Sequence, residues 1–187
     1  MNLTQTKRIF LAVDIEPYWQ NKIAKINPQL DELDLPQRKL IAQEKLHITI
    51  HFWADVNLMQ IKKIIECTQK ICDEFRAFKI ALQDIIAFPS ERKPRVLAIK
   101  IEQDAMLQAL RHQLSDTYTL HGIPVENRAF KPHISIARFL KKIPQENPLL
   151  ENPFDPEPLF VEELVLFEST LGEHGSVYAP MAKFELR

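Results

Sequence analysis

The sequence predicts a mixed fold of strands and helices, arranged as two similar lobes. Three observations support this prediction: strand and helix patterns alternate along the chain, two segments repeat at one fixed shift, and the composition is that of a globular protein. The chain has 187 residues, of which 45% are hydrophobic and 26% are charged. That length fits one domain, or two small lobes that share a core.

The spacing of apolar residues predicts each element in turn. A helical pattern follows the first strand to about Leu33, and a second helix is predicted over residues 58–71. A third helix is predicted over residues 104–120, and five prolines make residues 143–158 loop-like. Strands are predicted over residues 8–15, 46–52, 78–88, 95–101, 133–139, 161–169 and 177–186.

An internal repeat appears when the sequence is laid on itself with a shift of 86 residues. The segment Leu11–Ile15 then falls on Leu97–Ile101, and His47–Ile50 falls on His133–Ile136. In each half, 36 residues separate the leucine from the histidine, which leaves room for a helix and its turns. Two matches in one register indicate two lobes, each with a His-x-Thr/Ser motif on a strand.

The β-branched residues of both motifs favour strands, in which side chains alternate between two faces. The imidazole and the hydroxyl of each motif should therefore project the same way, about 6–7 Å apart. The predicted faces are His47, Thr49 and His51 above Ile48, Ile50 and Phe52, and His133, Ser135 and Ala137 above Ile134 and Ile136.

Two such motifs facing each other would bring two imidazoles and two hydroxyls to one phosphodiester. The hydroxyls can donate to the non-bridging oxygens, while one imidazole takes a proton from water and the other protonates the departing oxygen. A histidine that merely caps its strand is the alternative for one motif alone. A zinc site at His47 and His51 would need a helix, because on a strand their backbones lie about 13 Å apart.

Composition removes the usual support for several other classes of protein. Only three glycines occur, and neither Gly-x-Ser-x-Gly nor Cys-x-x-Cys is present, which disfavours ATPases, Rossmann enzymes, serine hydrolases and zinc ribbons. The formal net charge of −1 gives no overall attraction to nucleic acid. Residues 128–142 carry five basic residues and no acid, which indicates a local anion site or a solvated basic edge.

The compartment predicted for the chain is the cytoplasm. No run approaches the ~18 apolar residues of a membrane span, so no membrane association is expected. Asp14 and Glu16 interrupt the apolar run near the N-terminus, and no signal peptide is expected. Cys67 and Cys72 are expected to be free thiols in a reducing environment.

At these residues the sequence resembles the two-histidine phosphoesterase superfamily, and within it the RNA 2′,3′-cyclic phosphodiesterases, also called 2′–5′ RNA ligases. The likeness covers nearly the whole chain: RIFLAVDI, KLHITIHF, FPSERKPRVLAIKI, RAFKPHISIAR and LFESTLGEHGSVYAPMAKFEL. The resemblance implies a bilobal α+β fold over residues 1–187, as a single catalytic domain. Two lobes related by a pseudo-twofold axis would line a V-shaped cleft with antiparallel sheets.

The resemblance also implies an activity: opening of RNA 2′,3′-cyclic phosphates to 2′-phosphates, with 2′–5′ ligation as the reverse reaction. By position, His47 would be the proton donor to the leaving 3′-oxygen and His133 the base that activates water. Thr49 and Ser135 would hold the phosphate, and Arg138 would add positive charge. No metal or cofactor is implied. RNA ends or cyclic-phosphate nucleotides are the expected partners of a monomer.

Three departures from the family pattern bear on these roles. Ser135 replaces the more usual threonine, His51 stands where arginine is frequent, and Trp53-Ala54 replaces a common Leu-Gly pair. Strict alternation places Arg138 opposite His133, so its phosphate role requires a β-bulge or the end of the strand. Two other functions remain open: a phosphodiesterase for a small substrate such as ADP-ribose 1″,2″-cyclic phosphate, and a non-catalytic module that binds RNA ends or nucleotide phosphates.

Overall fold

One antiparallel sheet of nine strands dominates the computed structural model, which describes residues 6–26, 38–88, 95–102, 104–139, 158–173 and 175–187. The strands are β1 (Lys7–Asp14), β2 (Arg38–Leu40), β3 (His47–Val56), β4 (Phe78–Phe88), β5 (Val96–Ile101), β6 (His133–Phe139), β7 (Pro158–Val161), β8 (Glu163–Gly172) and β9 (Gly175–Glu185). The helices are α1 (Pro17–Ala24), α2 (Leu58–Glu74) and α3 (Ala105–Leu120).

Most predicted elements agree with this structure to within a few residues. The first helix ends at Ala24 rather than near Leu33, and residues 27–37 lie outside the described part of the chain. The predicted strand 161–169 corresponds to the end of β7 and most of β8, which join opposite halves of the sheet. All but the last residue of the predicted loop 143–158 lies outside the described residues.

The two long helices pack together against the sheet through faces that their sequences define. Asn57 and Gln60 form a reciprocal capping box that begins α2, and Asp104 caps α3 by accepting from the amide of Leu107. A buried hydrogen bond of 2.6 Å joins Thr68 of α2 to the phenol of Tyr118 of α3. This bond fixes the helix pair behind the strands that carry the histidine motifs.

The order of strands in the sheet is β7-β4-β5-β6-β3-β1-β8-β9, with β2 also paired to β6. The central strands β3 and β6 meet at one residue pair, Ile48 and Ile134, which are 86 positions apart and fully buried. On either side, the strand order is related by a twofold axis through this pair: β1 corresponds to β5, and β8 to β4. The axis places the start of each motif strand near the other.

The register within each half follows the same shift. In β1 and β3, Leu11 pairs with His51, Ala12 with Thr49, Val13 with Ile48 and Asp14 with His47. In β5 and β6, the pairs are Leu97 with Ala137, Ala98 with Ser135, Ile99 with Ile134 and Lys100 with His133. Every pair in the second half lies 86 residues beyond its counterpart. The repeat is therefore one of backbone pairing as well as of sequence.

Candidate active site

All five predicted site residues line one cavity of about 190 Å³ where β3 and β6 meet. They are His47, Thr49, His133, Ser135 and Arg138. His47 and Thr49 come from one lobe, and the other three come from the other lobe. The paired motifs thus converge at the twofold axis, as the repeat predicted.

Each catalytic candidate is anchored by the same backbone contact. His47 donates through Nδ1 to the carbonyl of Lys45 at 2.7 Å, and His133 donates through Nδ1 to the carbonyl of Lys131 at 2.8 Å. A carbonyl oxygen can only accept, so Nδ1 carries the hydrogen in both rings. Nε2 of each ring is left to accept a proton when the ring is neutral, or to donate one when it is charged.

The electrostatics of the cavity disfavour a charged His47 in the unliganded protein. Burial is the largest cause that lowers the pKa of His47, and the nearby charges of His133 and Arg138 lower it further. The hydrogen bond to the Lys45 carbonyl acts in the opposite direction. An anion in the cavity would raise the pKa of His47, because it would offset this positive surrounding.

A β-bulge in each motif strand decides which side chains enter the cavity. Thr49 and His51 pair with adjacent residues of β1, so Ile50 between them is the extra residue; Ile136 occupies the same place in β6. A bulge shifts the alternation by one position. Arg138 therefore shares the face of His133 and Ser135, which resolves the conflict that strict alternation raised.

The same bulge overturns the predicted position of His51 on the face of His47. His51 is only 3% exposed and lies on the opposite face, between Trp53 and Tyr118, with ring centroids 5.6 Å and 5.2 Å away. Its Nε2 lies 3.4 Å from the hydroxyl of Ser115. Burial lowers the pKa of His51 to about 4, so this ring is neutral at neutral pH. Trp53 likewise belongs to the packing behind the sheet rather than to the cavity rim.

The bulges also reverse the predicted faces of Phe52 and Ala137. Phe52 was expected beneath the sheet but lines the cavity, and Ala137 was expected in the cleft but is fully buried. The guanidinium of Arg8 lies 4.9 Å from the centre of the Phe52 ring and also lines the cavity. At the shift of 86, Phe52 corresponds to Arg138. The two lobes thus present an aromatic ring and a cation at equivalent points.

Sequence reasoning also missed an aromatic wall behind His47. The Phe10 ring lies 4.8 Å from the His47 ring, and Tyr178 contacts both, at 4.8 Å from Phe10 and 5.5 Å from His47. Phe10 comes from β1 and Tyr178 from β9, which lie far apart in sequence. No sequence signal marks either residue, because the pairing of Phe10 with Phe52 becomes visible only in the folded sheet.

Among the described lysines and arginines of the stretch 128–142, Arg138 is the one that lines the cavity. Arg138 lines the cavity itself, whereas Arg128 forms an ion pair with Glu126 and Lys131 lines a groove beside His133. Lys141 and Lys142 lie outside the described residues. Arg138 is therefore the basic residue of this stretch that can contact an anion in the cavity, where both motifs meet.

Within the described ranges, no group of three or more His, Cys, Asp and Glu side chains is placed to hold a metal ion. His47 and His51, the pair considered for zinc, lie on opposite faces of β3. Among the described helices, none combines the length and the hydropathy needed to span a bilayer.

The sequence of this chain matches the model of a known protein family. The family model of the 2′-5′ RNA ligase superfamily matches residues 19–173, which include both motifs and most of the chain. The chain belongs to this superfamily. Its fold and the two-histidine resemblance agree with that membership.

Similar proteins and solved structures match nearly the whole length of the chain. An RNA 2′,3′-cyclic phosphodiesterase of Archaeoglobus fulgidus is 26% identical over 95% of this chain and 99% of its own. The crystal structure of TT0787 of Thermus thermophilus superposes with a TM-score of 0.81, at 26% identity, over 96% of this chain and 98% of that one. LigT of E. coli in its apo form gives a TM-score of 0.78 at 22% identity, over 97% of this chain and 98% of its own. These structures share the bilobal α+β fold.

Proposed function

We propose that this protein opens RNA 2′,3′-cyclic phosphate ends to 2′-phosphates by general acid–base catalysis. One observation carries the proposal: two imidazoles, each anchored through Nδ1, meet two hydroxyls and a guanidinium at the twofold axis of the sheet. The names of superfamily relatives such as those of Archaeoglobus fulgidus and Methanothermobacter thermautotrophicus give the same activity.

In the proposed reaction, water attacks phosphorus and the bond from phosphorus to the 3′-oxygen breaks. His133 accepts the proton of the water at Nε2, and His47 in its charged form gives the Nε2 proton to the departing 3′-oxygen. The products are a 2′-phosphomonoester and a free 3′-hydroxyl. The reverse of this step closes a 2′-phosphate onto the 3′-hydroxyl with loss of water. A 5′-hydroxyl that attacks the cyclic phosphate in place of water, giving its proton to His133 while the bond to the 3′-oxygen breaks and His47 protonates that oxygen, forms a 2′–5′ linkage and a free 3′-hydroxyl.

The other site residues have distinct roles in the proposal. Thr49 and Ser135 donate hydrogen bonds to the non-bridging oxygens, and Arg138 compensates their negative charge. The anionic phosphate also raises the pKa of His47, which allows this ring to carry the proton that it gives away. Binding of substrate thus favours the charged form of His47, which burial disfavours in the free protein.

The whole chain is proposed to be one bilobal catalytic domain that acts as a monomer in the cytoplasm. The support for a monomer is that both lobes of one chain supply the cavity. The support for a reducing compartment is that Cys67 and Cys72 are buried as free thiols in α2. Light scattering tests the first proposal: a mass near 21.8 kDa is expected, and twice that value would contradict it.

The experiment that tests the activity is hydrolysis of 2′,3′-cyclic nucleotides in excess EDTA. The expected products are 2′-phosphates rather than 3′-phosphates, formed at the rate seen without chelator, because an imidazole rather than an ion activates water. The His47→Ala, His133→Ala double variant is the control for background hydrolysis. Loss of turnover in EDTA, restored by zinc or manganese, would contradict the mechanism.

A further inference from the structure

The catalytic cavity opens into two neighbouring grooves that are related by the twofold axis. The Lys39 groove, between β2 and the β8–β9 hairpin, is lined among others by Lys39, Lys45, Arg138, Leu171 and Tyr178. The Arg111 groove, beside α3, is lined among others by Arg111, Glu126, Arg128, Phe130 and Lys131. The shift of 86 carries Lys45 onto Lys131, and Phe52 of the second groove onto Arg138 of the first.

The size of the cavity implies that a nucleotide chain must leave it. Its volume of about 190 Å³ is below the roughly 300–1,000 Å³ that enclose a drug-sized ligand. The Lys39 groove adds about 500 Å³ and shares Lys45, Arg138 and Tyr178 with the cavity. A terminal nucleotide with its phosphate between the histidines therefore extends beyond the cavity, and the two grooves are the adjoining surfaces that its strand can follow.

The two grooves differ in the charged residues that line them. The Lys39 groove presents two lysines and Arg138, and no carboxylate is among its described lining residues. In the Arg111 groove, Glu126 forms an ion pair with Arg128. The Arg111 guanidinium donates to the carbonyls of Ile50 and Glu126 and lies over the face of Phe130. A polyanionic backbone is therefore attracted more strongly to the Lys39 groove.

The Lys39 groove also offers apolar surface of the kind that bases contact. Leu171 is 81% exposed at the hairpin, and Tyr178 lies between it and the catalytic histidine. Proteins that bind single strands combine a basic groove with aromatic rings on which bases stack, and Tyr178 supplies such a ring in this groove.

The Lys39 ammonium lies against the turn on the other side of the groove. Gly175 has a φ of +116°, and a side chain at this position would come within 2.9 Å of the Lys39 ammonium. The glycine both permits the turn and leaves space for the ammonium against it. Lys39 therefore spans the outer end of the groove, farther along it than Lys45 and Arg138, which also line the cavity.

We propose that the RNA strand leading to the cyclic phosphate lies in the Lys39 groove, where Lys39 contacts a backbone phosphate and Leu171 contacts a base. This inference rests on the proposed function. These contacts make the protein selective for oligonucleotides over mononucleotides, and they lie on one side of the cavity.

The test compares kcat/KM for a hexaribonucleotide with a 2′,3′-cyclic end against kcat/KM for a cyclic mononucleotide. In Lys39→Glu, the ratio of the two constants is expected to fall about tenfold, the effect of losing one charge-assisted contact. The slope of log kcat/KM against log salt for the hexamer should also become shallower by about 0.7. Leu171→Ala should lower the ratio severalfold, whereas Leu120→Ala, which is 84% exposed at the end of α3, should not.

Two charge-matched controls locate the strand. Lys70→Glu, on the exposed side of α2, should leave the ratio unchanged, and so should Lys131→Glu in the Arg111 groove. If Lys131→Glu lowers the ratio and Lys39→Glu does not, the strand lies on the other side and the inference is wrong. Equal effects of all three lysine variants would also overturn it, as a general charge effect. If the wild-type protein hydrolyses neither substrate, the proposed function itself fails, which is a distinguishable result.

Discussion

The two lobes of this protein share a backbone but not a set of side chains. Their strand pairs coincide at one shift of 86 residues, including the bulge that interrupts each motif strand. Small alanines, Ala12 and Ala98, lie opposite the hydroxyls of Thr49 and Ser135 in both halves. The repeated backbone thus presents an imidazole and a hydroxyl twice, once on each side of one axis.

The side chains around this common backbone differ, so the two histidines lie in unequal surroundings. Beyond the bulge, the cavity receives Phe52 from one lobe and Arg138 from the other. Behind the sheet, His51 of one lobe corresponds to Ala137 of the other. A symmetric substrate site would have no preferred leaving group, so we infer that these differences decide which histidine acts as acid and which as base.

The bulges themselves are held in different ways. The carbonyl of Ile136 accepts from the backbone amide of Ile41, next to β2, at 2.9 Å. The carbonyl of Ile50 accepts from the side chain of Arg111, at 3.3 Å. One lobe therefore depends on backbone pairing for the shape of its motif, while the other depends on a single side chain that substitution can remove.

The largest expected effect comes from removing the feature that the lobes share. His47→Ala and His133→Ala should each lower kcat by about 10²–10⁴-fold, the range for one positioned general acid or base. Because both act in one proton-transfer event, the double variant should be little worse than the poorer single variant. Steady-state kinetics with a cyclic mononucleotide measures all three.

Melting curves of the same variants separate catalysis from folding. Both rings are half-buried in the cavity rather than in the core, so the variants should remain folded. Residual activity that follows the folded fraction would mean that the histidines are structural. Folded variants with full activity would place the reaction elsewhere in the molecule.

The second prediction uses His51, which has no titratable counterpart in the other lobe. Its pKa of about 4 lies below the ~6.5 of an unfolded histidine, so the unfolded chain binds the proton first as the pH falls. The free energy of unfolding should therefore drop by about 3 kcal/mol between pH 6.5 and 4 on account of this residue. His51→Phe should remove that part of the loss, as measured by urea unfolding at both pH values.

The matched control for this prediction is His121→Gln, an exposed histidine at the end of α3. It should keep the pH dependence of the wild-type protein. An identical dependence in His51→Phe would show that the buried ring does not oppose protonation.

Much of this molecule follows from sequence because local patterns and the repeat agree. Alternating apolar residues give β3 and β6, helical spacing gives α2 and α3, and the shared register brings His47 and His133 together. The prediction was wrong about which face of the sheet the residues after each bulge occupy. A bulge adds one residue against the partner strand, and a single strand's alternation carries no mark of it.

Residues that reach the cavity from distant strands were also beyond prediction. Arg8 and Phe10 enter from β1, and Ser169 and Tyr178 enter from the β8–β9 hairpin. Their presence depends on β1 pairing with both β3 and β8, which is a property of the whole sheet. The phosphate role of Arg138 came from the resemblance and from the basic stretch around it, against the alternation of its own strand.

The third prediction tests whether the two hydroxyls are equivalent. Thr49→Ala and Ser135→Ala each remove one hydrogen bond to a charged oxygen, about 1.5–3 kcal/mol, so activity should fall roughly 10- to 100-fold. Thr49→Ser and Ser135→Thr keep the hydroxyl and should retain most of the rate. Thr119→Ala, on the exposed end of α3, is the control. An unaltered rate in either alanine variant would mean that its hydroxyl does not contact the phosphate.

The smallest expected effect is a displacement of the pH profile, and it tests the asymmetry between Phe52 and Arg138. A plot of kcat/KM against pH should be bell-shaped, since one imidazole must be neutral and the other charged. Its limbs belong to the coupled pair rather than to single residues. Arg138 lowers the pKa of His47, so Arg138→Met should raise that pKa and move the optimum to higher pH.

The height of the profile should fall in the same variant, because the guanidinium is also proposed to contact the phosphate. Arg128→Met removes a guanidinium that is paired with Glu126 and lies outside the cavity, so its profile should keep the wild-type position. Arg138→Lys retains the charge and should return the optimum toward lower pH even if the rate stays reduced. An optimum that moves to lower pH in Arg138→Met, or stays in place, would show that Arg138 does not act on the histidine pair. The difference between the acid and the base would then have to come from Phe52 and the lobe that carries it.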